Sequence, residues 1–424
     1  MTPKHVLDIE QALEKAKREK TVAVKNQNFE LGAEFRDTEN ELTEKLKMAK
    51  HFYQLVYDGA KMRYENIGED IEKRLNFELQ VINNKKWEKY FLLLCDMLDT
   101  IRKKGAIVGP GSMPSSLVAY CLRITDIDPI AYDLLFERFA DTQSESFPFS
   151  VYVDSEGKNE AIRFLRKKGI IKKADYSDYY PDGSDMISTT IFGETEFDIY
   201  LTEVKSLSII RKIVEIHHKD AHVDIDIESI PNDDPVVYRK FANGEASGLL
   251  GFENADMEEL CLRLFRPSNI EDLAAIYSLN ANSHCRIEMI AKLIDGKHGY
   301  EKVKYEIPEL EKHLKNTYGV TIYQEQVMNI SQDLAGFSPC QSNELRKTLG
   351  KRLTDKLNDI REMFLEGCSA TGYDKNKVVE IYNSWVDYAL FCNKSTAISV
   401  ALIAYRMAWL KAYYPTIWHF ALMK

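Results

Sequence analysis

The chain has 424 residues, enough for two or three domains around a large buried core. With 56 Lys+Arg against 66 Asp+Glu its net charge is −10, which excludes a generic polyanion binder. Its seven cysteines are scattered without a CxxC pair, which points away from a zinc module and toward reduced thiols in a cytoplasmic protein.

The charge is uneven along the chain. Residues 1–50 carry 10 basic and 10 acidic side chains and 285–424 carry 19 and 16, so 51–284, with 27 and 40, stands at −13. A phosphate-facing surface is therefore expected in the last third. No segment has the form of a signal peptide. The most apolar stretch, AISVALIAYRMAWLKAYY (397–414), holds Arg406 and Lys411 and is too short and too charged to span a bilayer, so it is expected to be a buried helix and no membrane partner is expected.

In chain order, residues 6–50 are helical and polar, with no proline. Leu7, Leu13, Val22 and Val24 mark an apolar side. NQN (26–28) breaks the run and Asn28 can cap a second helix, on which Phe29, Ala33, Phe35, Leu42 and Leu46 follow at roughly helical spacing. The expectation is an αα-hairpin over 1–50, followed by a connector at 51–70. Helical patterning resumes from 71 to 105. GAIVGPGSMPSSLVAYCL (105–122) reads as a short strand, a Gly/Pro/Ser loop and a helix. FPFSVYVD (147–154) alternates Phe147, Phe149, Val151 and Val153 against Pro148, Ser150, Tyr152 and Asp154, the period of a strand. TTIFGETEFDIYL (189–201) is strand-like and leads into a helix from about 204 to 217. Residues 236–424 are mostly helical.

Several charged pairs invite a metal reading. Asp126 and Asp128 stand in ITDIDP, where Asp-Pro favours a turn or helix start. Asp224 and Asp226 alternate on one stretch, and His218 and His222 are a helical turn apart without an evident third ligand. Structural roles are expected for all of them.

Two resemblances carry the functional reading. NFELGAEFRDTENEL is similar to the UVR motif, a helical hairpin of excinuclease subunits and Clp-type unfoldases, through Phe29-Glu30, Ala33 and Arg36-Asp37. That resemblance implies protein docking by the hairpin. From about 71 onward the chain resembles the palm, thumb and fingers of the bacterial DNA polymerase III alpha subunit. The segments that carry this are RLNFELQVI (74–82), YFLLLCD (90–96), VGPG (108–111), SLVAYCLRITDIDPIAYDLLFERF (116–139), IPNDDPVVYRKFANGEASGLLGFE (230–253), GKHG (296–299), TYGVTIYQEQVMNISQDLAGFS (317–338), LRKTLGKR (345–352) and CNKSTA (392–397), in the family's order. The resemblance implies an α+β, helix-rich fold, with a nucleotidyltransferase-like mixed sheet as palm (71–235) and helical fingers (236–424).

In that family, palm aspartates hold two magnesium ions for nucleotidyl transfer. Aligned on Asn159-Glu160-Ala161-Ile162, the family's aspartate motif falls on Pro148, Ser150 and Tyr152, and the third catalytic aspartate falls on Tyr200. Asp154 and Asp198 are the candidate residual carboxylates. The family's glycine-rich loop is shortened here to GPGSMPSS without its arginine, another arginine is lost in NANSH (280–284), and a third becomes Gly296. Residues that persist, and that the resemblance implies at the nucleotide or template, are Lys297, His298, Tyr323, Gln324, Arg346, Lys347, Lys351, Arg352, Asn393 and Lys394. On this resemblance, the family's phosphoesterase-like, duplex-binding, clamp-binding and OB-fold regions are expected to have no counterpart within these residues.

The expectation is thus a catalytically disabled relative, with magnesium bound only if polymerase activity survives, DNA as a possible partner and a protein partner at the hairpin. Two alternatives stay open: a DNA-directed polymerase with a rebuilt metal site, and a purely structural subunit.

Overall fold

The computed structural model describes residues 4–111, 113–140, 147–170, 184–191, 195–252, 255–281, 286–351, 354–387 and 392–423. Two compact units emerge: residues 1–100 with 116–125, and residues 101–115 with 126–424. This division cuts across the sequence-based one at 50, 70 and 235.

The first unit opens with α1 (Lys4–Lys25) and α2 (Phe29–Arg63). Gln27 takes a left-handed conformation (φ 55°) at the turn, and the Asn28 side chain accepts from the Leu31 N–H at 3.2 Å, capping α2 as its sequence implied. Ion pairs Lys50–Glu10 (2.6 Å) and Lys20–Glu39 set an antiparallel register. The buried side of α1 is Val6, Leu13, Ala16 and Ala23, while Leu7, Val22 and Val24 are exposed. The expected stripe was therefore rotated. Small alanines let the two helices approach, while Val22 and Val24 stay exposed. Phe29, placed on the expected apolar side of α2, is 69% exposed.

The expected connector at 51–70 is a correction. α2 continues through it to Arg63, burying Phe52, Tyr53, Val56 and Ala60 at helical spacing. A Cβ on Gly59 would lie 2.0 Å from the Cys121 carbonyl oxygen, so only glycine permits the close crossing with α5 (Leu117–Cys121). Between them stand α3 (Glu69–Asn84) and α4 (Glu88–Arg102). α4 begins after Lys86 adopts φ 56°.

The second unit holds a four-stranded mixed sheet in the order β1-β2-β4-β3. Its strands are β1 (Val108–Gly109), β2 (Phe147–Val153), β3 (Ser184–Ile191) and β4 (Thr195–Glu203). β2 runs parallel to β4, and the other two pairings are antiparallel. The strand-like stretch 189–201 covers the end of β3 and most of β4, with 192–194 outside the described residues. α6 (Ser155–Lys167) and α7 (Lys205–Ala221) follow β2 and β4.

The remaining helices are α8 (Pro235–Ala242), α9 (Ala255–Phe265), α10 (Ile270–Ala281), α11 (Arg286–His298), α12 (Glu311–Leu314), α13 (Gln324–Ala335), α14 (Pro339–Lys351), α15 (Thr354–Ala370), α16 (Lys375–Asp387), α17 (Lys394–Tyr413) and α18 (Pro415–Met423). One apolar core gathers around α10 and α17, and another around α13 to α16. α17 is buried on nearly all sides, as its composition implied, and its Arg406 is neutralised by Asp126. The fold is α+β and helix-rich. Among the described residues no helix is long and apolar enough to cross a membrane.

Candidate functional site

Alternation along β2 and β4 sorts their residues onto two faces. In the parallel register Phe149 pairs with Ile199 and Val151 with Leu201; these four, with Val153, are buried and form the core face. Ser150 pairs with Tyr200, and Tyr152 with Thr202. Ser150, Tyr152 and Tyr200 are half-buried. The positions aligned with family aspartates therefore fall together on one side of neighbouring strands. A two-metal site needs several hard anionic oxygens there. Proline supplies none, and serine and tyrosine bring hydroxyls instead of carboxylates, so these residues do not fit a magnesium pair. Tyr152 also packs against the apolar core around α10 and α17.

Asp198 pairs through its backbone with Pro148 and stands two residues along β4 from Tyr200. The side chains of Pro148 and Asp198 lie outside the described residues. Asp154 is a correction. It is 0% exposed and both its oxygens are engaged in structure. Oδ1 accepts from the Gly157 N–H at 2.7 Å, capping α6, and from Arg211 at 3.2 Å; Oδ2 accepts from the Ile107 N–H at 2.5 Å. Arg211 also reaches Glu156 (2.5 Å) and Glu215 (2.8 Å). A guanidinium thus supplies the positive charge that these carboxylates share. The sequence mark of this cap is the Asp-Ser-Glu-Gly start of α6.

The shortened Gly/Pro/Ser loop is packed away. A Cβ on Gly111 (φ 58°) would come within 2.1 Å of the Ser150 carbonyl oxygen, so glycine there serves close contact with β2. Met113, Pro114 and Ser115 are buried. In the first unit, Glu78 accepts from the N–H groups of Leu117 (2.9 Å) and Val118 (3.0 Å) and from the Ser116 hydroxyl (2.9 Å). Burial pushes its carboxyl above the usual range, against the pull of Arg74 and these backbone donors. Glu78 and Arg211 were not singled out from sequence. Their signal was a charge placed on the apolar side of an amphipathic helix.

The fingers residues are knitted into the fold. Gln326 accepts from the N–H groups of Ile322 (2.7 Å) and Tyr323 (2.9 Å), and Tyr323 is buried. The Gln324 N–H donates to the Cys392 carbonyl at 2.9 Å. Asn393 caps α17 by accepting from the Ser395 N–H at 2.9 Å. The Lys394 ammonium donates to the Tyr132 carbonyl (2.5 Å) and lies 3.5 Å from Glu271, while its N–H donates to Glu325 (3.0 Å). Glu325 and Lys394 line a polar cavity of about 40 Å³ with Lys312 and His313.

Arg346 donates to Asn343 at 3.2 Å. Lys347 and Lys351 are exposed on α14, and Arg352 lies outside the described residues. Lys297 pairs with the buried Asp272, its ammonium 4.7 Å from the Phe265 ring centroid. His298 Nε2 lies 2.9 Å from the Leu264 carbonyl oxygen. Both are therefore engaged with α9 and α10. At Gly296 a Cβ would meet Tyr318 Cβ at 2.7 Å, so the lost arginine's space is already filled.

The charged pairs expected to be structural have partners within the protein. Asp128 accepts from the Ile130 N–H (2.8 Å), Asp226 from the Glu228 N–H (3.0 Å), His218 pairs with Asp224 (2.8 Å), and His222 ends α7 at φ 55°. Among the described residues, no group of three or more His, Cys, Asp or Glu side chains is arranged to hold a metal.

Residues 206–372 match the bacterial DNA polymerase III alpha subunit finger domain, and residues 50–179 match the bacterial DNA polymerase III alpha NTPase domain. The chain is 28% identical to DNA polymerase III subunit alpha of Campylobacter jejuni, over 88% of this chain and 40% of that protein. It is 27% identical to that of Borreliella burgdorferi (87% and 41%) and 27% to that of Bacillus subtilis (85% and 42%). It spans about two fifths of the length of these curated relatives.

Proposed function

We propose that this chain, which is DNA polymerase III alpha-like over most of its length, keeps the polymerase framework as a non-catalytic, DNA- or nucleotide-associated scaffold in the cytoplasm. The observation that carries this reading is the β2–β4 register. It brings Ser150 beside Tyr200, with Tyr152 adjacent, where the resemblance calls for metal-holding aspartates. Loss of two metals removes several kcal/mol of transition-state stabilisation, and each ~1.4 kcal/mol is tenfold in rate. The exposed Lys347 and Lys351 on α14 support local contact with a phosphate backbone.

The hairpin is the proposed protein-docking element. Phe29, Glu30, Arg36 and Asp37 are all exposed, which leaves the UVR-like residues available to a partner. Crosslinking of the purified chain to replication, repair or chaperone proteins, compared with Phe29→Ala, tests that part; equal capture by both would remove the role assigned to Phe29.

The central test is primer extension with template–primer, four triphosphates and magnesium or manganese, beside a gel shift on the same DNA. No extension with salt-sensitive DNA binding is expected, weakened by Lys347→Glu and Lys351→Glu. Extension that disappears in Asp198→Ala would establish a rebuilt metal site. Absent or salt-insensitive binding would favour a purely structural subunit.

A further inference from the structure

A cavity of about 170 Å³ opens in the second unit between α11, α13 and α16, and its lining shares no residue with the sheet or with the Lys394 cavity. Its depth is apolar: Leu310, Leu314, Val320, Ile330, Ile381 and Trp385, all buried. Trp385 is held in place by Phe364, with ring centroids 5.2 Å apart, so that wall is preformed. The rim carries Lys292, Glu306 and Glu380, all exposed. Lys292 is paired with Glu288 at 3.1 Å, and with Glu306 and Glu380 beside that pair the rim is net negative.

We propose that this cavity binds a ring-sized apolar group bearing a cationic amine. An apolar cavity of about 150 Å³ is enough to hold a benzene ring. Depth and rim then divide the work: the ring replaces empty space against Trp385 and Ile381, and the amine meets Glu306 and Glu380. Nothing in this assignment depends on whether the sheet is catalytic.

Benzylamine is the probe, with toluene and benzoate as neutral and anionic counterparts of the same shape. Titration of the whole chain is followed by tryptophan fluorescence and by saturation-transfer NMR of the ligand. Benzylamine is expected to bind saturably, up to about fivefold more tightly than toluene, the scale of a partly exposed ion pair. Benzoate is expected to bind most weakly. Joint Glu306→Gln and Glu380→Gln changes bring benzylamine down to the toluene level, and Glu380→Lys raises benzoate above benzylamine. Ser384→Leu fills the cavity and abolishes binding of all three. Should that variant misfold, the exposed rim substitutions alone decide. No saturable binding by any probe, or benzoate binding as well as benzylamine, overturns the proposal. Toluene matching benzylamine overturns the cationic assignment, and unchanged binding in a folded Ser384→Leu chain overturns the location.

Discussion

On one side of the β2–β4 pair, Phe149, Val151 and Val153 stand with Ile199 and Leu201 in a closed core; on the other, Ser150, Tyr152 and Tyr200 are half-buried and uncharged. The first side keeps the apolar alternation that builds a strand. The second holds none of the carboxylates that the polymerase resemblance requires at its aligned positions. Because successive side chains point to opposite faces, the two sets can change independently. A sheet can therefore keep its fold through one face after its chemistry has left the other.

The sharpest way to break this comparison is to exchange the demands of the two faces. Val151→Asp buries an unpaired carboxylate and is expected to cost more than about 4 kcal/mol, read by chemical denaturation. A cost below about 1 kcal/mol would mean that the core face is not closed. Asp154→Ala removes the α6 cap and uncovers Arg211, with an expected loss of about 2 kcal/mol in the same assay. An unchanged midpoint would return Asp154 to the list of spare carboxylates.

Rebuilding the other face is a gentler change. Pro148→Asp, Ser150→Asp and Tyr200→Asp together are expected to lower stability by about 1–2 kcal/mol through like-charge repulsion, and magnesium is expected to restore most of it. Thermal melts with and without magnesium measure this. Absence of a magnesium response would mean that the three positions do not converge. Outside the sheet, at Glu88 in the first unit, burial raises the carboxyl from 4.5 to about 7. The folded state holds this proton more tightly than the unfolded chain. Its contribution is therefore complete below pH 4.5 and is lost as pH rises through about 7. Glu88→Gln should flatten that part of the stability–pH curve. His5, 3.5 Å away, is lowered by its own burial and titrates in the opposite sense, so His5→Ala separates the two slopes.

Local patterns with strong periodicity were legible. The strand at FPFSVYVD, the cap at Asn28 and the buried helix over 397–414 all follow from spacing and residue type. The rotated stripe of α1 and the helix through 51–63 were not legible. Each depends on which neighbour supplies the packing surface, and short windows of mixed polarity allow several answers. At the candidate site, the missing carboxylates were visible in the sequence, whereas the engagement of Asp154 and Lys297 was not.

The amino-acid sequence by itself determined the helix-rich composition, the strand that carries the aligned positions and the absence of aspartate at them, because all three are properties of residue order. Tertiary structure alone decided which charges are occupied. Asp154 meets Arg211 57 residues away, and Lys394 meets the Tyr132 carbonyl 262 residues away. A side chain's availability for chemistry depends on such partners. They are chosen by the way distant segments pack, which no local pattern records.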